Sequence, residues 1–518
     1  MSAMALRLRA LVLVLAAALA TSLVGSLGAC ATAPAKPAAA AVGPPKPLPQ
    51  RPWEDEILYF VLVDRFADGD LTNDQNVDRA GKGTFHGGDL VGLTAHLDEI
   101  ASLGVTAIWV NPLVKNIDGY VTGAGFPDWG YHGYWMDDIH ELDRRFGTPE
   151  ELQAFVSACH ARGIRVLLDV VYNHAGYDSH YVYDKATRDW LRSNVKGDCG
   201  EDDLTSCLAG LPDWKTELPA VRDFLLDAQL SWAKRSGVDG FRLDTVKHVD
   251  HPFWQEHRRR VRAELAPGFF LLGEVWGGDR ESLDPYFAGE ELDAGFDFGF
   301  QGSTVGWLEG RGRTIAYERY LESRMKVRPG HLLAQFLSSH DVKGALAILG
   351  GDREAFRLAA VLELTTMGIP VIFYGEEVAR DIGAWPDNRS DFPWGDRSIL
   401  PGAGKPRDEG MRAFYQKLIA IRRAHPALSR GSHEAIATDG DLLAFARREA
   451  GKDAVIVAVN RGSAPSTLRV NPPQEWGGAP PVDALGGAPA SLADGIVEAV
   501  VPPRSALVLS VAAPKSAP

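Results

Sequence analysis

"GFRLDTVKH", residues 240–248, sets two opposite charges two positions apart in a largely apolar run. Side chains alternate between the faces of a strand, so Phe241 and Leu243 point one way while Arg242 and Asp244 point the other. A surface strand could carry such a pair in water, and these residues alone do not separate that arrangement from a functional one. The rest of the chain has to decide between them.

Eight apolar runs of strand length, this one included, alternate with helical patterns along the chain. Continuous apolar strands separated by helices indicate an α/β fold with a parallel sheet covered by helices. Eight such strands predict a closed (β/α)8 TIM barrel. The runs cover residues 57–63, 105–110, 165–171, 240–244, 269–275, 294–300, 332–339 and 370–375.

Two segments do not fit a simple barrel. The connection after the third run, residues 175–239, is too long for one crossover, and its Tyr- and Asp-rich part predicts a small inserted domain over 175–215. After residue 425 short alternating strands such as "DLLAFARR" predict a C-terminal antiparallel β-sandwich domain over 426–518. The barrel itself is therefore expected over residues 51–425.

The N-terminal segment is expected to direct export. An apolar run preceded by arginines ends in Leu27–Gly28–Ala29–Cys30, which resembles the bacterial lipobox. That resemblance implies that residues 1–30 are a lipoprotein signal peptide and that Cys30 carries lipid, anchoring the protein on the periplasmic or cell-surface face of a bacterial membrane. An ordinary cleaved signal is the alternative. Residues 31–50 are Ala/Pro-rich and predict an extended tether.

The composition restricts the class of partner. The chain has 518 residues, a formal net charge of -14, 45% hydrophobic and 24% charged residues. Binding to a nucleic-acid backbone needs clustered Lys and Arg, so no nucleic-acid partner is expected. An acidic surface can instead hold hard cations.

The four cysteines give no reason to propose zinc or redox chemistry. Cys199 and Cys207 lie eight positions apart in the loop-like stretch "GDCGEDDLTSC", and export makes a disulfide between them plausible. Cys159 lies in a helical pattern and is expected to be a small buried apolar residue. No CxxC pair occurs in the sequence.

Polar residues cluster at the C-terminal ends of the predicted strands, which is the rim where barrel active sites are built. Four stretches, "DVVYNH", "GFRLDTVKH", "GEVW" and "FLSSHD", occur in the order and approximate spacing of the signature regions of the α-amylase family of retaining glycoside hydrolases, glycoside hydrolase family 13. "GVTAIWVNP", "LPDW" and "GIPVIFYGEE" extend the resemblance from about residue 53 to about residue 425. The chain resembles the α-amylase and glucanotransferase branch of that family.

The resemblance implies three catalytic carboxylates. Asp244 corresponds to the nucleophile, Glu274 to the general acid/base and Asp341 to the third carboxylate, which holds the sugar hydroxyls. Arg242 is expected to keep Asp244 ionised, because a neighbouring cation favours the charged form of a carboxylate. The chemistry itself needs one acid to protonate the leaving oxygen and one carboxylate to attack the anomeric carbon.

The resemblance also implies residues that bind the sugar. Ser339 departs from the family pattern, in which Asn is more common before the histidine. Trp276 could equally be a residue of simple loop packing. The implied substrate-binding residues are Tyr134, His174, Arg242, Lys247, Trp276 and His340.

Ca²⁺ is the expected cofactor, with one or two sites. The first is implied by resemblance and consists of Asn173, Asp213 and the backbone carbonyl of His248, whose oxygens suit a hard cation. The second resembles a site of some amylases and glucanotransferases, although Asp, Asn and Gly are also common in ordinary loops. Its residues are Asp68, Asp70, Asn73, Asp74, Gly87 and Asp89.

Lys247 and His248, which follow the implied nucleophile, resemble the α-amylase and glucanotransferase branch, and this resemblance implies α-1,4-glucans or maltooligosaccharides as substrates. The nearest alternative is a cyclodextrinase-like, maltogenic or transglycosylating enzyme acting on short oligosaccharides, favoured by Trp276 and by the aromatics of "WPDNRSDFPW", residues 385–394. A non-catalytic glucan-binding lipoprotein is a further alternative, which the presence of all three carboxylates disfavours. The oligomeric state is left open.

Overall fold

The structure is a computed structural model that describes residues 48, 51–438, 440–487 and 489–511. The predicted signal peptide, Cys30 and all of the predicted tether except Leu48 lie outside these residues. Across the described ranges no helix combines the length and the apolar character needed to cross a bilayer.

Eight parallel strands close into a barrel in which each strand pairs with its neighbours in chain order and the eighth pairs with the first. The predicted (β/α)8 fold is therefore confirmed. The sixth predicted run, 294–300, is only half strand, because a helix begins at Phe298. The barrel strands are Leu58–Val61, Ala107–Val110, Arg165–Val170, Gly240–Leu243, Phe270–Gly273, Ala294–Asp297, Leu332–Phe336 and Ile369–Phe373.

Helices follow the strands and cover the outside of the barrel. Their ends carry the expected signals: Thr148 caps its helix through a capping box with Glu151, and Gly237 ends another in a left-handed conformation. The α-helices are Leu90–Ala95, Leu97–Ala101, Pro149–Ala161, Pro219–Ser236, His251–Glu264, Arg280–Ala288, Phe298–Leu308, Thr314–Arg324, Ala345–Ile348, Arg353–Thr365, Glu409–Ala424 and Pro426–Arg430. Single 3₁₀ turns are Trp53–Asp55, Val63–Arg65, His180–Val182, Arg188–Trp190, Leu208–Gly210, Val246–His248, Glu376–Val378, Asp387–Arg389 and Gln474–Trp476.

The fourth strand is buried on both faces, which explains its sequence. Phe241 and Leu243 are fully buried in the hydrophobic core, while Arg242 is almost fully buried beside Asp169 of the third strand, with which it is in register. A charged side chain tolerates such burial only with partners. The alternation in "GFRLD" therefore separates core packing from a buried charge cluster inside the barrel.

Short hairpins and an irregular segment rise from the strand ends. Two small antiparallel sheets follow the second barrel strand, and a third joins the middle and the end of the region after the third strand. That region, residues 175–215, has little regular structure, and the structure joins Cys199 to Cys207 there by a disulfide. The paired strands are Val114–Asn116 with Met136–Leu142, Tyr120–Val121 with Asp128–Trp129, and Leu191–Arg192 with Asp213–Trp214.

In the described part of the C-terminal region every strand pairing is antiparallel, as predicted. A five-stranded sheet runs in the order Ser432–Ala437, Leu442–Glu449, Asp453–Asn460, Ser505–Ser510 and Val482–Asp483. A three-stranded sheet runs in the order Ser466–Val470, Ile496–Val501 and Ala490–Ala493. Their buried side chains form a second core, which includes Ile456, Leu468 and Val497.

Candidate active site

One guanidinium holds three carboxylates at the C-terminal end of the barrel. Arg242 Nη1 lies 2.7 Å from Asp244 Oδ1 and 3.1 Å from Asp169 Oδ1, and its Nη2 lies 2.9 Å from Glu274 Oε1. All four side chains are buried. The charges that share a strand face in the sequence are therefore part of a larger buried cluster and not a solvated pair.

Glu274 is held largely in its protonated form. Burial, with the negative charges of Asp244 and Asp341, raises the pKa of Glu274 to about 8, although Arg242 acts in the opposite direction. Its Oε2 also accepts a hydrogen bond from the backbone N–H of Thr245 at 3.1 Å. A carboxylic acid that keeps its proton at neutral pH can act as a general acid.

Thr245 has a strained backbone directly after Asp244. Its φ of 48° and ψ of 42° lie in the left-handed region, which a β-branched residue rarely adopts. Such strain costs about 1–3 kcal/mol and clusters at functional sites. In this conformation the Thr245 N–H points at Glu274, and the resulting hydrogen bond links the end of the fourth strand to the end of the fifth.

Asp341 is fixed from two sides at the end of the seventh strand. Its Oδ2 lies 3.0 Å from His340 Nε2, and its Oδ1 accepts from Arg389 Nη2 at 3.0 Å. Burial opposes its charge, but the contacts with His340 and Arg389 hold the pKa of Asp341 below its usual value. At neutral pH the positive charge next to Asp341 comes from Arg389, because burial lowers the pKa of His340 to about 3. Ser339, the residue that departs from the family pattern, accepts the Asp341 N–H on its hydroxyl at 3.2 Å.

Asp169 lies below the site and accepts hydrogen bonds from two aromatic side chains. Tyr134 donates its hydroxyl to Asp169 Oδ2 at 2.7 Å, and Trp109 donates Nε1 to the same oxygen at 3.0 Å. The Tyr134 ring stacks on His340 with centroids 5.2 Å apart and an interplanar angle of 13°. His174 Nε2 lies 3.2 Å from the Tyr134 carbonyl oxygen, and burial lowers the pKa of this histidine, which leaves it neutral.

An open cleft of about 730 Å³ is lined by Tyr134, His174, Asp244, Glu274, His340, Asp341 and Arg389. Its size falls in the range of pockets that take small molecules. Lys247, Trp276 and Trp385 also line this cleft. Trp276 is about half exposed and packs edge-on against Phe298, so its ring is not simply buried in a loop.

The disulfide-linked loop forms part of the same wall. Asp203 and Ser206 lie between Cys199 and Cys207 and line the cleft. The Asp203 carbonyl lies 2.8 Å from His248 Nδ1, which ties the loop to the segment that follows Asp244. Cys159 is buried and free in the helix Pro149–Ala161, as the sequence predicted.

The first predicted calcium site brings its three oxygens together. The Asn173 amide oxygen lies 3.0 Å from the His248 carbonyl oxygen and 3.2 Å from Asp213 Oδ1. Three oxygen acceptors at this spacing repel one another unless a cation lies between them. The alternative is a rotated Asn173 amide, whose NH₂ would donate to both the His248 carbonyl and Asp213 Oδ1. Arg192 already pairs with Asp213 Oδ2 at 2.8 Å. The oxygen set suits a hard cation.

The second predicted site contains buried oxygen atoms without hydrogen-bond partners. Asp68, Asn73 and Asp74 each have one buried side-chain oxygen without a hydrogen-bond partner. Gly87 lies against the same residues, since a Cβ at this position would lie 2.5 Å from Asp74 Oδ1. Asp89 instead caps the helix Leu90–Ala95 and accepts from the backbone there.

Two further contacts bear on that second set. Asp70 Oδ1 accepts from Thr72, and Arg79 Nη2 lies 2.5 Å from Asp68 Oδ2, so part of the negative charge is already neutralised. Within the described ranges no group of three or more His, Cys, Asp or Glu side chains is arranged to hold a metal ion. Any calcium at either place would thus depend on amide and carbonyl oxygens as well.

Three functional positions were missed in the sequence. Asp169 opens "DVVYNH", His132 lies two residues before Tyr134, and Arg389 lies in "WPDNRSDFPW", but the sequence assigned no role to any of them. His132 lines the cleft and accepts the Tyr134 N–H on Nδ1 at 3.1 Å. Asp169 and Arg389 become visible only through their contacts with Arg242 and Asp341 in the fold, and His132 through its place in the lining of the cleft.

Comparison with known proteins agrees with this geometry. The family model described as "Alpha amylase, catalytic domain" matches residues 60–385. A cyclomaltodextrinase from a Bacillus species is 31% identical over 440 residues, covering 80% of this chain and 74% of the relative. A periplasmic α-amylase from Escherichia coli (strain K12) is 32% identical over 481 residues, covering 73% of this chain and 68% of the relative.

A solved structure shares the fold over nearly the whole length. The crystal structure of an α-amylase from Geobacillus thermoleovorans, complexed with acarbose, has a TM-score of 0.78 and 30% sequence identity, covering 90% of this chain and all of that one. Its agreement extends beyond the catalytic domain matched by the family model. The chain belongs to the α-amylase family and is a glycoside hydrolase.

Proposed function

We propose that this enzyme hydrolyses α-1,4-glucosidic bonds of cyclodextrins and short maltooligosaccharides with retention of configuration. The observation that carries the proposal is the charge arrangement around Arg242, in which Glu274 keeps its proton while Asp244 lies against the guanidinium. An acid and a nucleophile side by side are what a retaining glycosidase requires.

The reaction follows in two steps. Asp244 attacks the anomeric carbon while Glu274 gives its proton to the glycosidic oxygen, so the leaving sugar departs as an alcohol and a glycosyl ester forms on Asp244. Water then attacks the same carbon, Glu274 takes a proton from it, and the ester bond to Asp244 breaks. Asp341, held by Arg389, accepts hydrogen bonds from the sugar hydroxyls, and Tyr134 stacks on the ring.

Short or cyclic substrates are favoured by two observations. The cleft carries exposed tryptophans on its wall, Trp276 and Trp385, whose rings provide stacking surfaces for individual sugars. The similarity to a cyclomaltodextrinase supports the same substrate class. A sugar retained on Trp276 would also act as an acceptor, which gives transglycosylation as a side reaction.

An endo-acting α-amylase on starch is the second candidate, favoured by the fold shared with the Geobacillus enzyme. Incubation with β-cyclodextrin, soluble starch and pullulan in parallel separates the two, with Asp244→Asn as the inactive control. Faster cleavage of β-cyclodextrin than of starch supports the proposal. A ladder of products from starch with slow attack on β-cyclodextrin would establish the second candidate, and no cleavage of any of the three would refute both.

Calcium binding and lipid anchoring complete the proposal. We infer that Ca²⁺ binds at Asn173, Asp213 and the His248 carbonyl, where it would hold the inserted segment against the barrel. We also infer export and acylation of Cys30, on the lipobox-like sequence that precedes it. Cys30→Ser in the full chain should release the protein from the membrane fraction, and continued membrane association of that variant would refute the lipid anchor.

A further inference from the structure

The exposed aromatic side chains fall into two groups. Of the residues that the structure describes, four aromatic side chains are exposed: Tyr120, Tyr183, Trp276 and Trp385. The two tryptophans line the catalytic cleft. The two tyrosines line a separate groove of about 750 Å³, a volume close to that of the cleft. Exposure of large aromatics is thus confined to these two concave surfaces.

The groove is built from two parts of the chain. Tyr120 comes from the hairpin after the second barrel strand, where its ring packs against Trp129 with centroids 5.3 Å apart. Tyr183 comes from the inserted segment and donates its hydroxyl to Asp178 Oδ1 at 3.0 Å. Both rings are therefore held by a neighbour, while 52% of Tyr120 and 57% of Tyr183 remain exposed.

The groove shares a wall with the catalytic cleft. Tyr177 lines both of them. Its hydroxyl donates to the Ala209 carbonyl at 2.9 Å, and its ring packs edge-on against Trp135 at 5.2 Å. A chain that leaves the cleft past Tyr177 would meet the two exposed tyrosines.

The polar lining of the groove suits hydroxyl groups better than ions. Asp118, Asp137, Asp178 and Asp184 line it. Asp137 is already paired with His180 and Lys115, and Asp178 accepts from Tyr183, so these carboxylates do not form an unpaired cluster for a cation. Their negative charge disfavours anions, whereas carboxylate oxygens accept hydrogen bonds from sugar hydroxyls.

We propose that this groove, defined by Tyr120, Tyr183 and the four aspartates, is a second α-glucan-binding site next to the catalytic cleft. The C–H faces of glucose units stack on the two tyrosine rings, and the aspartates accept hydrogen bonds from the hydroxyls. The site captures a chain whose other part enters the cleft past Tyr177. This inference rests on the proposed α-glucan substrate.

Binding to an inactive enzyme tests the second site. Asp244→Asn in otherwise full-length protein is titrated calorimetrically with maltoheptaose and with β-cyclodextrin, and two binding events per chain are expected. Adding Tyr120→Ala and Tyr183→Ala should weaken one event at least about tenfold and leave the other unchanged. Tyr120→Phe with Tyr183→Phe, which keeps both rings, should preserve both events.

Steady-state kinetics with the active enzyme provide a second test of the proposed binding site. The Tyr120→Ala/Tyr183→Ala variant should raise KM for soluble starch several-fold and leave kcat/KM for a nitrophenyl maltotrioside unchanged. Val500→Ala, which removes an equally exposed side chain from the C-terminal domain, is the matched control and should change neither value.

The outcomes separate this inference from the proposed function. If the unmodified enzyme cleaves α-glucans but Asp244→Asn shows one binding event that the Tyr→Ala changes do not affect, the second site is refuted and the function stands. That result would favour a protein partner for the groove. If the unmodified enzyme neither cleaves nor binds α-glucans, the proposed function itself is refuted.

Discussion

Arg242 Nη2 lies 2.9 Å from Glu274 Oε1, so the guanidinium next to the proposed nucleophile also contacts the proposed acid. The sequence predicted only the pairing of Arg242 with Asp244. The additional contact means that one cation acts on the charge of both proposed catalytic groups. It keeps the pKa of Glu274 from rising further under burial.

Replacing Arg242 should therefore affect turnover and stability in different degrees. Arg242→Lys keeps a charge but not the planar fork that reaches three carboxylates, so kcat should fall by about a hundredfold or more while the fold persists. Arg242→Leu leaves Asp169, Asp244 and Glu274 buried without a cation, which should lower the free energy of unfolding by about 3–5 kcal/mol. Urea unfolding and initial rates measure the two effects, and a Leu variant as stable as the parent would contradict the buried cluster.

The pH dependence should show the protonated Glu274. Because general-acid catalysis requires the protonated form, kcat/KM should fall as pH rises through about 8, the pKa of Glu274. Asp341→Asn removes a negative neighbour that raises this pKa, so the alkaline limb of its residual activity should move to lower pH. The exposed Asp396, changed to Asn, is the matched control. A limb that stays in place in Asp341→Asn would count against this electrostatic assignment.

The Cys199–Cys207 disulfide should support both stability and the cleft wall. In the chain-entropy model, closing a loop between residues eight apart stabilises the fold by about 2–3 kcal/mol. Cys199→Ser with Cys207→Ser should lower Tm and raise KM, because Asp203 is then less firmly held against His248.

A reductant provides the control for the disulfide. It should reproduce both effects in the parent enzyme and change nothing in the double variant. Equal KM values for the oxidised parent and the double variant would show that the loop does not depend on its disulfide to line the cleft.

Calcium removal should destabilise the protein if either predicted site is occupied. A cation held at a hundred times its Kd stabilises the native state by about 2.7 kcal/mol, so a saturating chelator should lower Tm by several degrees. Asp213→Asn removes a charge from the first site, and Asp74→Asn removes one from the second. The variant that no longer responds to the chelator identifies the occupied site, and an unchanged Tm in the parent would refute accessible calcium.

The barrel could be predicted from the sequence because its strands are continuous apolar runs. "VTAIWV" and "RVLLDVV" bury both faces, and their spacing by helical patterns leaves few alternatives to a parallel barrel. The extent of one strand was predicted wrongly. In "AGFDFGF", residues 294–300, the apolar alternation continues past Asp297, although a helix begins at Phe298. Local periodicity does not separate the end of a strand from the start of a buried helix.

The site could be predicted only as far as the motifs extend. The structure brings six of the predicted residues together in the lining of the cleft: Tyr134, His174, Asp244, Glu274, His340 and Asp341. Arg389 and Asp341 are 48 positions apart in sequence, and no sequence pattern predicts the contact between them. The groove around Tyr120 and Tyr183 depends in the same way on two distant loops that meet only in the fold.

Trapping the covalent intermediate tests the central claim, which is that Asp244 is the nucleophile and Glu274 the acid/base. Glu274→Gln should still be glycosylated by α-maltosyl fluoride, because fluoride leaves without a proton, but it should hydrolyse the ester slowly because no base activates water. Mass spectrometry of the intact protein and its peptides should find one maltosyl unit on the peptide that contains Asp244. No adduct, or an adduct on another carboxylate, would contradict the proposed mechanism.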